Sequence, residues 1–260
     1  MDICDREIID LINENNIDHI YNFACPASPK YYLKHPIETW CSSVIGVKNL
    51  LDSIVNTNKK LFHSSTSEVY GDAQITEQNE EYWGNVNPIG VRACYDEGKR
   101  AAEALIYDYI RTYNVDARVV RIFNTYGPGM CEEDGRIISN FVTQALNNEN
   151  ITIHSDGEQT RSFCYVDDTL DAIYKLMQSK EFYNFPINVG NPDERSVKEV
   201  AVYIKNLLKS SSEIIYCEKM RDDPKKRKPD ITKAKELLMW NPKTSFEEGL
   251  IKTIDYFKNK

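Results

Sequence analysis

The sequence predicts an α/β fold built around a parallel sheet. Segments with strand character alternate with segments of helical period, joined by short connections, and that alternation is the mark of such a sheet. The composition suits a folded domain: of 260 residues, 41% are hydrophobic and 28% charged. Values this near the globular average exclude disorder, collagen and coiled coil. A chain of this length can bury about three quarters of its surface, as one large domain or two unequal ones.

The elements follow in order. Asp5 can cap a helix running to about Asn15, with Ile8, Ile9, Leu11 and Ile12 on its apolar face. His19 to Ala24 (His-Ile-Tyr-Asn-Phe-Ala) reads as a short strand. A long helix is predicted from Ile37 to Val55, with Val44, Val47, Leu50, Leu51 and Ile54 spaced by three or four. Lys60 to Ser64 is a second strand, Tyr95 to Tyr113 an Ala- and Glu-rich helix, and Ala117 to Phe123 a third strand. The second half is more mixed. Helices are predicted at Arg136 to Leu146 and Val166 to Met177, and short strands at Ile151 to Ile153 and Pro186 to Val189. Ser196-x-x-Glu199 and Ser245-x-x-Glu248 are capping boxes, each opening an amphipathic helix. This half is expected to form a smaller α+β lobe interleaved with the last strands of the sheet.

Charge and punctuation narrow the function. With 32 Lys+Arg against 40 Asp+Glu, the chain carries a formal charge of −8. That argues against a nucleic-acid backbone or an anionic membrane as main partner, although local arginines can still hold a small anion. No window approaches the length of apolar chain that spans a bilayer. The start carries Asp2, Asp5, Glu7, Asp10, Glu14 and Asp18, unlike the basic, then apolar, start of a signal peptide. Seven scattered cysteines without C-x-x-C spacing are expected to be free thiols in a reducing cytosol. His19, His35, His63 and His154 do not pair at ligand spacing, so no metal site is expected.

The sharpest local constellation is Tyr95-Asp-Glu-Gly-Lys99, whose spacing puts Tyr95 and Lys99 on one helix face. A lysine ammonium beside a phenol stabilises the phenolate and lowers the tyrosine pKa, making a base usable near neutrality. An ordinary half-buried tyrosine near a solvated lysine has the same spacing, and the chain has 16 tyrosines. Context favours chemistry. Ser64-Ser-Thr-Ser-Glu-Val-Tyr-Gly71 follows the second strand and Arg121-Ile-Phe-Asn-Thr-Tyr-Gly-Pro128 the third, at the carboxyl ends where α/β proteins bind ligands.

Further segments run through nearly the whole chain: Ala24-Cys-Pro-Ala-Ser-Pro29, Tyr82 to Gly90, Arg92-Ala-Cys-Tyr-Asp-Glu-Gly-Lys-Arg100, Gly135-Arg-Ile-Ile-Ser-Asn-Phe141, Gln159-Thr-Arg-Ser-Phe163 and Asp222-Asp-Pro-Lys-Lys-Arg-Lys-Pro-Asp230. Together they resemble the extended short-chain dehydrogenase/reductase (NAD-dependent epimerase/dehydratase) family of nucleotide-sugar enzymes. The run Thr66-Ser-Glu68 and the stretch Arg92 to Tyr95 resemble its UDP-glucuronate decarboxylases. Dehydratases of the family look like Thr-Asp-Glu at the first place, and 4-epimerases usually lack the glutamate.

The resemblance implies a lyase that makes UDP-xylose from UDP-glucuronate on a tightly held NAD, through a 4-keto intermediate. It implies Tyr95 as the base at the C4 hydroxyl, with Lys99 lowering its pKa and holding the nicotinamide ribose. Thr66 would bond the C4 oxygen, and Glu68 would orient the sugar and help with proton handling near C5. Arg227 would approach the glucuronate end. Ala24, Pro26 and Ser64 would join Tyr95 and Lys99 around the cofactor. Asn124, Arg136, Asn140, Gln159 and Arg161 would bind the UDP moiety, since arginine forks suit a diphosphate. For Arg136 and Arg161 the competing reading is a surface salt bridge. For Lys225 to Lys228 it is a solvated charge run, favoured for every member except Arg227. The chain departs from the family at Gly129, where an arginine is usual, and at His154-Ser155, where Tyr-Gly is usual. A homodimer is implied through the helices at Glu38 to Val55 and Tyr95 to Tyr113.

The family begins with a strand, a Gly-x-x-Gly-x-x-Gly turn and a helix that take the cofactor pyrophosphate. None of the 11 glycines here precedes Gly46, and Met1 to Ile3 aligns just after the family's third strand. The expectation is therefore an incomplete Rossmann-like parallel sheet lacking its N-terminal strands, about 60 or more residues at about 30 per βα unit. Residues 1–130 would hold the remaining cofactor-binding part with Tyr95 and Lys99, and 131–260 mainly the nucleotide-sugar lobe. The strand at His19 to Ala24 would show a bare, uncharged edge. A fragment, a split gene with a complementing N-terminal segment, and a non-catalytic homologue that binds a nucleotide sugar or partner all fit. Dehydration or epimerisation of another nucleotide sugar stays open beside decarboxylation.

Overall fold

The computed structural model describes residues 1–219 and 222–260. Helix α1 (Glu7–Glu14) opens the chain and strand β1 (His19–Asn22) follows. Asp5 does not cap α1. The flanking position is Arg6, already in helical conformation, because a turn closed by the Asp5 N–H on the Asp2 carbonyl leads into the helix. Helices α2 (Pro29–Tyr32) and α3 (Pro36–Cys41) both begin on a proline, whose missing N–H would have had no partner there. α3 continues through a π-type segment, Ser42–Gly46, into α4 (Val47–Asp52), so the long helix read from the sequence exists but widens in its middle.

Strand β2 (Lys60–Thr66) passes into a 3-10 turn, Ser67–Tyr70. Helix α5 (Ala93–Tyr113) ends on Asn114 in the left-handed region, φ 54°. Strands β3 (Asp116–Ile122) and β4 (Thr125–Tyr126), helix α6 (Ile137–Leu146), strands β5 (Ile151–His154), β6 (Thr160–Ser162) and β7 (Cys164–Tyr165), and helix α7 (Val166–Gln178) follow. The chain ends with β8 (Ile187–Val189), β9 (Glu194–Ser196), α8 (Val197–Leu208), β10 (Ile214–Cys217), α9 (Thr232–Leu238) and α10 (Phe246–Lys258). Ser196 and Glu199 complete the full capping box of α8, whereas at α10 only the Ser245 hydroxyl accepts from the Glu248 N–H.

The main sheet is parallel with strand order β1-β2-β3-β8, as the alternation predicted. His19 lies opposite Lys60, Lys60 opposite Asp116, and Val120 opposite Ile187. Successive residues take opposite faces. Leu61 and Val119 join Ile12, Leu51 and Ile106 under α1, α4 and α5, while Phe62 and Val120 join Ile173 and Trp240 under α7 and α9. Each fully buried side chain of this kind contributes about 1.5–3 kcal/mol. Among the described residues no strand pairs with the outer edge of β1, where Tyr21 and Phe23 are 42% and 51% exposed.

The second lobe is built from paired short strands: β5 with β10 and β4 with β7 in parallel, β6 with β9 antiparallel. Helices α6, α8 and α10 cover them around Phe141, Val142, Ile151, Ile204 and Leu250. Strand β8 returns from this half to the main sheet, so the two halves interleave. Among the described residues no helix is long and apolar enough to cross a membrane.

Candidate active site

A cleft of about 460 Å³ opens beyond the carboxyl ends of β2 and β3, the expected place for a ligand of a parallel sheet. Ser64, Thr66 and Glu68 enter it from β2 and the turn behind it. Arg92, Tyr95 and Lys99 come from α5 and its N-terminal flank, and Asn124 from the segment after β3. Arg136 and Asn140 come from the start of α6, Gln159 and Arg161 from around β6, and Asp223 and Arg227 from the segment before α9. Of the residues singled out from the sequence, only Ala24 and Pro26 are absent from the lining. Their neighbours Phe23, Cys25 and Ala27 face the cleft instead.

Local chemistry explains the placement of Glu68. The Thr66 hydroxyl accepts from the Glu68 N–H (3.2 Å), closing the turn that follows β2. Gly71 then bends the chain at φ 60°, where a Cβ would stand 2.1 Å from the Asn85 carbonyl oxygen. Gly98 lets α5 approach the π-type segment closely, since a Cβ there would meet Ser43 at 3.1 Å. The tyrosine and lysine of α5 are thereby pressed against the end of β2.

Tyr95 and Lys99 share a helix face as their spacing predicted, but their electrostatics differ from the expectation. The Lys99 Nζ lies 6.0 Å from the Tyr95 ring centroid and donates to the Ser64 carbonyl at 2.7 Å. Tyr95 is buried and stacks on Tyr32, with centroids 5.1 Å apart and planes 4° from parallel. Burial pushes the Tyr95 pKa well above its ordinary value, while the Thr66 hydroxyl pulls weakly the other way. Burial also lowers the Lys99 pKa. Lys99 therefore does not make Tyr95 a ready phenolate in this arrangement, because desolvation outweighs the neighbouring charge. The Ser64 hydroxyl is occupied too, donating to the Asn22 carbonyl at 2.9 Å.

Glu68 is the centre of a buried charge cluster. Arg227 meets it with two parallel hydrogen bonds, Nη1 to Oε1 at 2.6 Å and Nη2 to Oε2 at 2.7 Å. Arg92 adds Nη2 to Oε2 at 2.5 Å. Burial alone would raise the Glu68 pKa, but Arg227, Arg92 and Arg161 together hold it well below the usual carboxylate range. Glu68 is thus an ionised acceptor here, not a proton donor. Arg227 is buried whereas Lys225 and Lys226 are exposed, as the sequence reading expected; Lys228, also read as solvated, is instead half-buried and pairs with Glu77.

At the other arginines, acids take the forks. Arg161, 3% exposed, meets both oxygens of Asp223 at 2.9 Å. It is a buried pair, not the surface salt bridge considered from sequence. Arg136 pairs with Asp134, with Nη2 to Oδ1 at 2.9 Å. Asn140 donates to the Gly135 carbonyl (3.2 Å) and Gln159 to the His154 carbonyl (2.7 Å). The Gln159 Oε1 is buried without a hydrogen-bond partner among the described residues, which leaves an acceptor for a ligand N–H. At the departure His154-Ser155, Ser155 carries φ 68°, which explains why glycine suits that position.

Sequence reasoning overlooked Arg92, Asp96, Asp223 and Tyr32 as parts of the site. Arg92 had a signal, standing three residues before Tyr95 where a helix brings side chains together. Asp223 stood inside the quoted Asp222–Asp230 segment but was not singled out there, and Tyr32 had no signal, since its partner lies far along the chain.

The family model described as GDP-mannose 4,6 dehydratase matches residues 1–253. UDP-glucuronic acid decarboxylase 5 of Arabidopsis thaliana is 52% identical over 234 residues, covering 90% of this chain and 68% of the plant protein. Among solved structures, a UDP-glucose 4-epimerase of Thermotoga maritima with UDP-glucose superposes with a TM-score of 0.92 at 26% identity. It covers 100% of this chain and 83% of the epimerase. A dTDP-glucose 4,6-dehydratase of Bacillus anthracis in complex with NAD gives a TM-score of 0.86 at 26% identity, covering 100% of this chain and 79% of the dehydratase.

Proposed function

The chain belongs to the GDP-mannose 4,6-dehydratase family of extended short-chain dehydrogenase/reductases, and on that premise we propose that it decarboxylates UDP-glucuronate to UDP-xylose with NAD. The observation that carries this reading is the pair of arginines on Glu68 at the head of the cleft, beside Thr66 and Tyr95. The Arg227 fork fits a carboxylate, which a uronic acid brings to the sugar ring. The relatives named UDP-glucuronic acid decarboxylase point the same way.

The residues present suit the nicotinamide end of the cofactor. The buried Lys99 ammonium spends one of its three donors on Ser64, and the others can serve ribose hydroxyls. When bound, NAD takes a hydride from the sugar and later returns it. Tyr95, with Thr66, would hydrogen-bond the C4 oxygen and take its proton. With C4 a ketone, the C5 carboxylate belongs to a β-keto acid. The bond from C5 to the carboxyl carbon breaks, carbon dioxide leaves, and the electron pair passes into the ketone. A proton returns to C5, and reduction at C4 gives UDP-xylose. Glu68, ionised, accepts from sugar hydroxyls and orients the ring.

Residues 1–130 supply the cofactor side and 131–260 mainly the UDP side, where Arg136, Asn140, Gln159 and Arg161, with Asn124 from the first part, hold the nucleotide. Two supports bear on cofactor affinity: the 260 residues contain no Gly-x-x-Gly-x-x-Gly turn, and the outer β1 edge is unpaired among the described residues. A complementing N-terminal segment docked on that edge would supply the grip on NAD, and this chain alone should bind NAD weakly. Titration calorimetry giving micromolar affinity for the chain by itself would refute that. The exposed Ile37 and Ile45 on the α3 and π-type segment suit a homodimer interface, and the free thiols suit the cytoplasm.

The reaction is tested by supplying UDP-glucuronate and NAD, with a glycine-loop segment from a relative, and identifying products. Carbon dioxide and UDP-xylose are expected. A UDP-hexuronic acid epimer or a dehydrated sugar would instead favour a different family reaction, and tight binding without turnover a non-catalytic role.

A further inference from the structure

We propose that Arg92 is a positioning residue that keeps Glu68 in place while the Arg227 fork passes to the carboxylate of the bound sugar acid. This rests on the decarboxylase reading and deepens it.

Arg227 offers Glu68 two parallel N–H groups at 2.6 and 2.7 Å. That geometry fits any carboxylate, so a uronate entering the cleft competes with Glu68 for the same fork. An exchange that left Glu68 alone would strand an ionised carboxylate in a largely buried place, which is strongly unfavourable. Arg92 prevents this. Its Nη2 meets Glu68 Oε2 at 2.5 Å, and it is carried by the N-terminal flank of α5, not by the segment that carries Arg227. Arg227 can therefore shift without moving Arg92.

Arg92 is committed to that one contact. Its Nε lies 3.6 Å from Asp96 and its Nη1 3.7 Å from Asp223, both beyond hydrogen-bond length. The Nε has no hydrogen-bond partner among the described residues, and the residue is 7% exposed. Asp96 and Asp223 thus hold the guanidinium in the cluster by charge, while Glu68 alone among the described carboxylates bonds it closely. Three arginines (Arg92, Arg161, Arg227) face three acids (Glu68, Asp96, Asp223) here. A sugar carboxylate adds a further anion to this cluster, and each guanidinium that stays helps to hold it.

The test titrates the full chain, with NAD present, against UDP-glucuronate, UDP-glucose and UDP. Wild type should prefer UDP-glucuronate to UDP-glucose; no preference would overturn the decarboxylase reading itself and this inference with it. Arg92→Gln should weaken UDP-glucuronate by about tenfold or more and leave UDP within about twofold. In a Glu68→Gln background the same substitution should change nothing further, because Arg92 acts through Glu68. Undiminished UDP-glucuronate affinity in Arg92→Gln, or an equal loss in the Glu68→Gln background, would overturn the inference. Should Arg92→Gln fail to bind UDP, Arg92→Lys is read by the same ratio, with a selective loss of UDP-glucuronate expected and none refuting.

Discussion

Asp96 offers a prediction that links the charge cluster to stability. It follows Tyr95 on the first turn of α5 and is 7% exposed. One of its oxygens, Oδ1, has no hydrogen-bond partner among the described residues, and the other lies 3.6 Å from the Arg92 Nε. Burial and the neighbouring Glu68 charge push its pKa up from 3.8 to about 7, and Arg92 offsets them only in part. A raised folded-state pKa means that the folded chain holds this proton more tightly than the unfolded one. The stabilisation is therefore greatest at low pH and is lost as pH rises from 3.8 through about 7. At about 1.4 kcal/mol per unit, the whole penalty reaches at most about 4 kcal/mol. About 2.5 kcal/mol of that falls between about pH 5 and about pH 8. Asp96→Asn keeps the shape and removes the charge. Urea melts of both proteins should show the variant gaining up to about 2.5 kcal/mol on wild type between those two pH values. A difference that stays constant with pH, or a variant that loses ground as pH rises, would refute the assignment of Asp96 as a repelled buried carboxylate.

The remaining predictions concern caps and one strained residue. Ser196→Ala removes the side-chain half of a reciprocal box and should destabilise by about 1–2 kcal/mol, whereas Ser245→Ala breaks a single bond and should cost about 0.5–1 kcal/mol, both read from urea melts. Ser155→Gly relieves a left-handed serine at φ 68° and should raise stability by about 0.5–1 kcal/mol in thermal melts.

Much of the fold was legible because periodicity and caps are local. The strands from Lys60 and from Ala117 lie within a residue or two of their predicted ends, and α5 begins two residues before the predicted Tyr95. The capping residues Ser196 and Ser245 were correctly placed. Asp5 misled because a preceding turn carries the chain into the helix at Arg6, a competition the residue pattern does not show. Eleven of the thirteen residues singled out line the cleft, and Ala24 and Pro26 miss it because their neighbours Phe23, Cys25 and Ala27 face it. What stayed hidden was pairing over long separations. Arg161 finds Asp223 and Tyr95 finds Tyr32, partners that no spacing rule connects.

By itself the sequence determined the order of the main-sheet strands and of the longer helices, though not α2, α9 or the short strands β4, β6, β7, β9 and β10, and that Thr66, Glu68, Tyr95, Lys99 and Arg227 are present together. Those facts follow from side-chain period, backbone preference and residue type, each readable within a few positions. The tertiary structure alone decided the charge states. Tyr95 holds its proton more tightly because the fold buries it, and Glu68 remains a carboxylate because two guanidiniums from different segments converge on it. Desolvation and Coulomb energy depend on which distant segments meet, so only the folded chain settles whether a group carries its proton.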